Sequence, residues 1–219
     1  MFNFSGSPLL RLALWPPQIL RSSEMGTIVQ LKDVRIAFID DLFEAGQYEG
    51  KGDFRHTATF IVAPGTENDK ALQAAINSEA TGAWGKKAEG MLEDFRGNKN
   101  KYCYMKNKKD KTGEVFEGFE NMFALSSVRK QKDGAPIFLH KFKDPETGKA
   151  QKLTGKEGVI YAGCMVNAKV EIWAQTGTYA GIRCGLLGVQ FAGDNDAFGG
   201  ASRATDDGFD AVEAEDDLA

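Results

Sequence analysis

The stretch Met165-Val-Asn-Ala-Lys-Val-Glu-Ile-Trp-Ala174, then Gln175-Thr-Gly177, then Thr178-Tyr-Ala-Gly-Ile-Arg-Cys-Gly-Leu-Leu-Gly-Val-Gln-Phe191 decides how this chain is read. Val166, Ala168, Val170, Ile172 and Ala174 recur at every second position, the period at which a strand presents one face. The opposite face carries Asn167, Lys169, Glu171 and Trp173. A short glycine-bearing turn between two such runs marks a β-hairpin. An indole sharing a face with Asn, Lys and Glu is poorly explained by core packing. Beside Lys169 it makes a platform for a nucleobase. The blander alternative is that the helix or the N-terminal arm covers Trp173. Tyr179 and Arg183 share one face of the adjoining strand and join the candidate surface.

Outward from this hairpin the chain is again β. Thr27 to Ile39 reads as a strand whose apolar phase shifts by one residue near Lys32-Asp33, as a β-bulge produces. Phe54 to Val62 alternates, with His56, Ala58 and Phe60 on one face and Arg55, Thr57 and Thr59 on the other. Pro64-Gly65 stops it, and a helix follows from about Glu67, capped by Thr66 or Asn68. Its apolar stripe holds Leu72, Ala75, Ile76, Ala83 and Trp84, and a short turn places Met91, Leu92 and Phe95 together. Met122 to Val128 and Ile137 to Phe142 flank Lys132-Asp133-Gly134 and read as another hairpin; either Phe138, His140 and Phe142 or Ile137, Leu139 and Lys141 form its core face, and the sequence favours Phe138 and Phe142. Five or six strands with one inserted helix predict a mainly β Greek-key barrel rather than a parallel α/β sheet.

Net charge hides the main asymmetry. The 27 residues from Gly193 to Ala219 hold nine acids against Arg203, a charge of −8. The overall charge of −4 therefore leaves +4 on the other 192 residues. Low hydropathy and high charge predict a disordered acidic tail over 193–219. At roughly 30 Å its root-mean-square reach is long enough to touch the body it hangs from. Residues 1–24 are read as an unstructured extension before Met25-Gly26, leaving 25–192 as the folded domain. A basic body tied to an acidic tail points to nucleic acid.

Two further segments carry that charge. Asn98 to Lys111 holds Lys99, Lys101, Lys106, Lys108, Lys109 and Lys111, with Tyr102 and Tyr104 between them. Lysines neutralise phosphates and ring faces stack on bases; the rival reading is a solvated loop whose tyrosines anchor it to the core. Arg129, Lys130 and Lys132 precede the Lys132-Asp133-Gly134 turn region's end, and Lys141 and Lys143 follow it.

Enzymatic constellations are not found. No phosphate-cradling glycine loop and no nucleophile elbow occur. Asp40, Asp41 and Glu44 form a small acidic cluster that is not expected to hold a metal. Cys103, Cys164 and Cys184, with only His56 and His140, lack metal-ligand spacing and read as reduced thiols. No cofactor is expected, and no apolar run of about 18 residues predicts a membrane helix.

The opening Met25-Gly-Thr-Ile-Val-Gln-Leu-Lys32, the closing Gly185-Leu-Leu-Gly-Val-Gln-Phe191, the run Ala197-Phe-Gly-Gly200 and the acidic Asp206-Asp-Gly-Phe-Asp210 belong together. Together they resemble the single-stranded DNA-binding proteins of tailed bacteriophages. The resemblance spans Met25 to Ala219 and implies an oligonucleotide-binding (OB) fold, a non-catalytic role in phage replication and recombination, and action in the host cytoplasm. It implies a tail that contacts replication or recombination proteins, here through Phe209, Asp210, Glu213, Glu215, Asp216 and Asp217. Some relatives end in an aromatic residue, whereas this chain ends Leu218-Ala219, so Phe209 would supply that contact. A further copy of the chain is a partner this reading allows. Its rival is a virion structural or scaffold protein.

Overall fold

A computed structural model describes residues 26–198. The expected extension 1–24 and the tail residues Phe209 to Asp217 lie outside the described residues. The elements in chain order are β1 (Thr27–Ala37), β2 (Gly46–Tyr48), β3 (Lys51–Val62), α1 (Glu67–Trp84), α2 (Ala88–Phe95), β4 (Tyr104–Lys106), β5 (Phe123–Lys130), β6 (Ile137–Lys143), β7 (Ala150–Lys152), β8 (Met165–Gln175) and β9 (Gly181–Gly193).

Five long strands close a barrel. β1 pairs antiparallel with β3 and β8, β3 with β5, and β8 with β9. A parallel contact between Val128 and Gly185 joins β5 to β9 and completes the ring. Short β2, β4, β6 and β7 extend the sheet, and α1 and α2 are inserted between β3 and β5. The architecture is the mainly β, OB-like barrel with an inserted helical segment.

The closure follows from local chemistry. The β1–β8 register slips between Leu31 and Val34, with Asp33 at φ 49. That bulge returns Val34 and Ile36 to the core face already occupied by Val29 and Leu31. α1 starts where the Thr66 hydroxyl accepts the Asp69 amide N–H at 3.3 Å. Leu72, the pair Ala75 and Ile76, and Ala80, which recur about once per helical turn, bury one side of α1 in the core cluster that holds Leu31, Val170 and Ile172.

The expected β5–β6 hairpin is not formed. β6 pairs with β9 in parallel, Ile137 opposite Gly188, as β5 does at Gly185. The chain therefore leaves β9 at Val128, loops out and resumes in the same direction. A hairpin would have reversed it. Arg129 holds the excursion closed, donating to the Gly134 and Asp133 carbonyls. Phe138 is buried against Phe43, but Phe142 is 62% exposed and stacks on His140 instead of reaching the core.

The start of the acidic segment also departs from expectation, because residues 194–198 pack on the barrel. Phe198 donates its amide to the Ala162 carbonyl at 3.1 Å and stacks on Phe119. The Arg35 guanidinium lies 4.1 Å over its ring and donates to the Asp196 carbonyl at 2.7 Å. Gly118 and Gly163 leave room for this segment; a Cβ on either would lie under 3 Å from Phe198 or Asp196. Among the described residues no helix is long and apolar enough to cross a membrane.

Candidate nucleic-acid interface

The single β5–β9 contact leaves a seam in the barrel wall. On one side the seam is plugged by the backbone of Lys101–Cys103, where Lys101 accepts from Ile182 and Cys103 from Ser126. Over the seam lies an open cleft of about 620 Å³. One bank carries Arg55 of β3 with Arg129 and Lys130 of β5. The other carries Trp173 of β8, Arg183 of β9 and Tyr179 from the turn between them, with Lys99 at one end. Seven sequence-predicted residues, from β3, β5, the β8–β9 hairpin and the loop at Lys99, thus converge on one surface. In OB barrels, the second and third barrel strands and the turn between the last two form the usual ligand face.

The two sides of the cleft do different work. Arg55 and Lys99 are exposed and the Tyr179 ring is 74% exposed, so they are available to a ligand. Lys130 makes an exposed ion pair with Asp53 at 2.8 Å, which solvent screens and a phosphate can replace. Arg183 is a brace. Its guanidinium donates to Gln175 Oε1 at 3.0 Å, to the Tyr179 carbonyl at 3.0 Å and to the Asn100 carbonyl. These acceptors are neutral, so Arg183 fixes both ends of the cleft and still contributes positive charge. Two acids, Asp133 and Glu171, line the cleft against five cations.

Trp173 is half-buried and lies against Gly185, whose missing side chain leaves the space. A Cβ there would come within 3.1 Å of the indole. An isolated glycine within a strand marks such a close approach, so the sequence held this signal. Below, Cys103 and Cys184 line the floor. Burial pushes the Cys103 thiol up to about 12 and that of Cys184 well above its ordinary value, so both stay protonated and inert.

Six predicted residues lie elsewhere, and two of these are corrections. Tyr102 and Tyr104 are buried in the core and cannot stack on bases. Tyr104 packs on Phe123 with centroids 4.7 Å apart and donates its hydroxyl to Asp69 Oδ1 at 2.9 Å. Burial, and then the Asp69 carboxylate, push its pKa up. Burial works to raise Asp69 as well, but hydrogen bonds from Gln73, the Gly65 amide and Tyr104 outweigh it and hold the carboxyl below its usual value. Lys101 is exposed outside the cleft, above Phe95. Lys106 borders a different groove, between α1 and β4. Lys141 of β6 lies over Phe142 and over Phe191 of β9, and Lys169 borders a third groove. The lysine run is therefore divided among several surfaces.

Lys108 of that run turns inward. Its Nζ donates to Thr59 Oγ1 at 3.1 Å and Ser126 Oγ at 3.2 Å, above the Phe38 ring. Burial first, and then Lys99, lower its pKa to about 8. Among the described residues no cluster of three or more His, Cys, Asp or Glu is placed to hold a metal.

The family model described as "Enterobacter phage Enc34, ssDNA-binding protein" matches residues 27–219. This chain belongs to the Enc34 single-stranded DNA-binding protein family. The match takes in the acidic segment and leaves out residues 1–26. One relative is protein p50 of Acyrthosiphon pisum secondary endosymbiont phage 1. It is 31% identical over 185 residues, covering 83% of this chain and 92% of that protein. The chain is similar in fold to the Enc34 protein solved in complex with single-stranded DNA, at TM-score 0.57 and 18% identity over 78% of this chain and 89% of that one. A second Enc34 structure matches at TM-score 0.55 and 19% identity over 84% and 90%. At these identities the likeness to the Enc34 structures is one of fold.

Proposed function

We propose that this chain binds single-stranded DNA in the cleft over the β5–β9 seam and catalyses nothing there. The observation that carries this reading is the seating of Trp173 on Gly185, on the bank it shares with Arg183 and opposite the cations Arg55 and Lys130. Phosphates would take the cations, and bases would stack on Trp173 and Tyr179. Family membership supports the same reading, since the Enc34 protein is described as binding single-stranded DNA.

On this reading the protein coats and protects single strands in the host cytoplasm during phage replication and recombination. The acidic tail competes with DNA for the cleft and, once displaced, recruits a basic surface of a replication or recombination protein through Phe209 and the acids from Asp210 to Asp217.

Gel shifts with single-stranded DNA, duplex DNA and RNA at two salt concentrations test the binding claim. Tight binding to the single strand, weakened by salt, is expected, with a large loss in the variant Arg55→Ala/Lys99→Ala/Lys130→Ala. Equal affinity of this variant and the parent would remove the cleft from the account.

A further inference from the structure

Leu187 of β9 borders two depressions at once. On one side is the basic cleft, and on the other a second open groove of about 530 Å³ over the outer face of β1, β8 and β9. The floor of this second groove is apolar: Ile137 is 59% exposed there, beside Leu139. Its rim carries the amines of Lys32 and Lys169, and Asp33 is the single acid among its described lining residues. Gly188 stands opposite Lys169 in the β8–β9 ladder and opposite Ile137 in the β6–β9 ladder, and a Cβ there would stand 3.0 Å from the Ile137 carbonyl oxygen, so the glycine lets Ile137 approach the groove. Lys169 and Trp173 share one face of β8, four residues apart, which is roughly 13 Å at the rise of a strand.

We propose that a single strand held in the cleft continues past Leu187 into this groove. Its bases lie against Ile137, Leu139 and Leu187, and its phosphates meet Lys32 and Lys169. The proposal rests on the cleft being the primary seat of the strand, and it assigns the protein a longer footprint than the cleft alone. Two observations select nucleic acid as the occupant: the groove adjoins the cleft at Leu187, and its cations Lys32 and Lys169 suit a polyanion. A two-fold contact between copies of this chain through the same groove would bring Lys32 and Lys169 toward their own counterparts, which like charge opposes.

Titration of the full chain with oligo-dT of about 4 and about 20 nucleotides tests this, a range that spans common footprints of one OB barrel, roughly 4–16 nucleotides. The variant Lys32→Ala/Lys169→Ala is expected to bind the short oligonucleotide like the parent and the long one about tenfold more weakly. The salt slope on the long one should fall by roughly 0.7 for each lysine removed. An equal loss at both lengths, or no loss at either, would overturn the proposal. If the parent protein itself binds neither length, the cleft reading fails first. Sedimentation of Ile137→Ser gives a second readout: a parent dimer turned monomeric by this change would assign the groove to a second copy and overturn the proposal.

Discussion

Trp173 of β8 lies across the bare backbone of Gly185 of β9, so close that a Cβ at the glycine would stand 3.1 Å from the indole Cζ3. The ladder sets this approach, since Trp173 pairs with Arg183 and Gly185 with Glu171, placing the glycine diagonally beside the ring. Gly185→Val should therefore lift the indole out of the cleft. It is expected to weaken oligo-dT binding, and Trp173→Ala should cost about 1–3 kcal/mol of affinity, the value of one base–aromatic stack. Titrations run beside urea unfolding check this. If Trp173→Ala abolishes folding, the ring is a core residue.

Tyr104 offers the opposite case. Its hydroxyl satisfies Asp69, which also accepts from Gln73 and the Gly65 amide. Tyr104→Phe should lower stability by about 1–3 kcal/mol, as a hydrogen bond to a charged group is lost. Single-stranded DNA affinity should stay unchanged. Chemical denaturation and a gel shift separate the two effects, and a selective loss of DNA binding would return Tyr104 to the interface.

Lys108 makes stability depend on pH. Its pKa is about 8 in the folded chain against an ordinary 10.5, so below pH 8 both states are protonated and the fold bears the cost of a buried charge. Between about 8 and 10.5 the unfolded state binds more protons, and the Lys108 contribution to stability rises with pH. Compared with Lys108→Met, the parent protein should gain in Tm across that window and hold a constant difference below it. A difference that stays flat through the window would contradict the burial of the amine.

The barrel was legible because its strands keep a strict two-residue period and its bulge breaks that period at Lys32-Asp33. Thr66 and the alternation of Met165 to Ala174 are equally local signals. The β5–β6 connection was not legible. A turn composition such as Lys132-Asp133-Gly134 is the same whether the chain reverses or only detours, and the outcome depends on the distant edge of β9. The lysine run misled for a related reason. Lys99 reaches the cleft, Lys106 another groove and Lys108 a half-buried seat over Thr59 and Ser126, because 98–111 threads the seam and then folds back over β3 and β5. Spacing in sequence carries no record of that path, and interleaved tyrosines look alike whether they face bases or Asp69.

The contacts of Phe198 determine where the tail may be cut. Removing 199–219 should strengthen single-stranded DNA binding while leaving Tm intact, because the Arg35–Phe198 contacts survive. Removing 194–219 should also lower Tm, as Phe119 loses one of its three ring partners and Arg35 its carbonyl acceptor at Asp196. Thermal melts and binding isotherms of the two truncations distinguish these effects. Unchanged affinity in both would remove the competing role of the tail.

The most direct measurement isolates one indole. The chain has three tryptophans, so Trp15→Phe/Trp84→Phe leaves Trp173 as the sole reporter. Titration with oligo-dT at low salt should quench its emission to saturation, and added salt should restore it. Emission that stays constant while the DNA is retarded in a gel would put the strand somewhere other than the seam between β5 and β9.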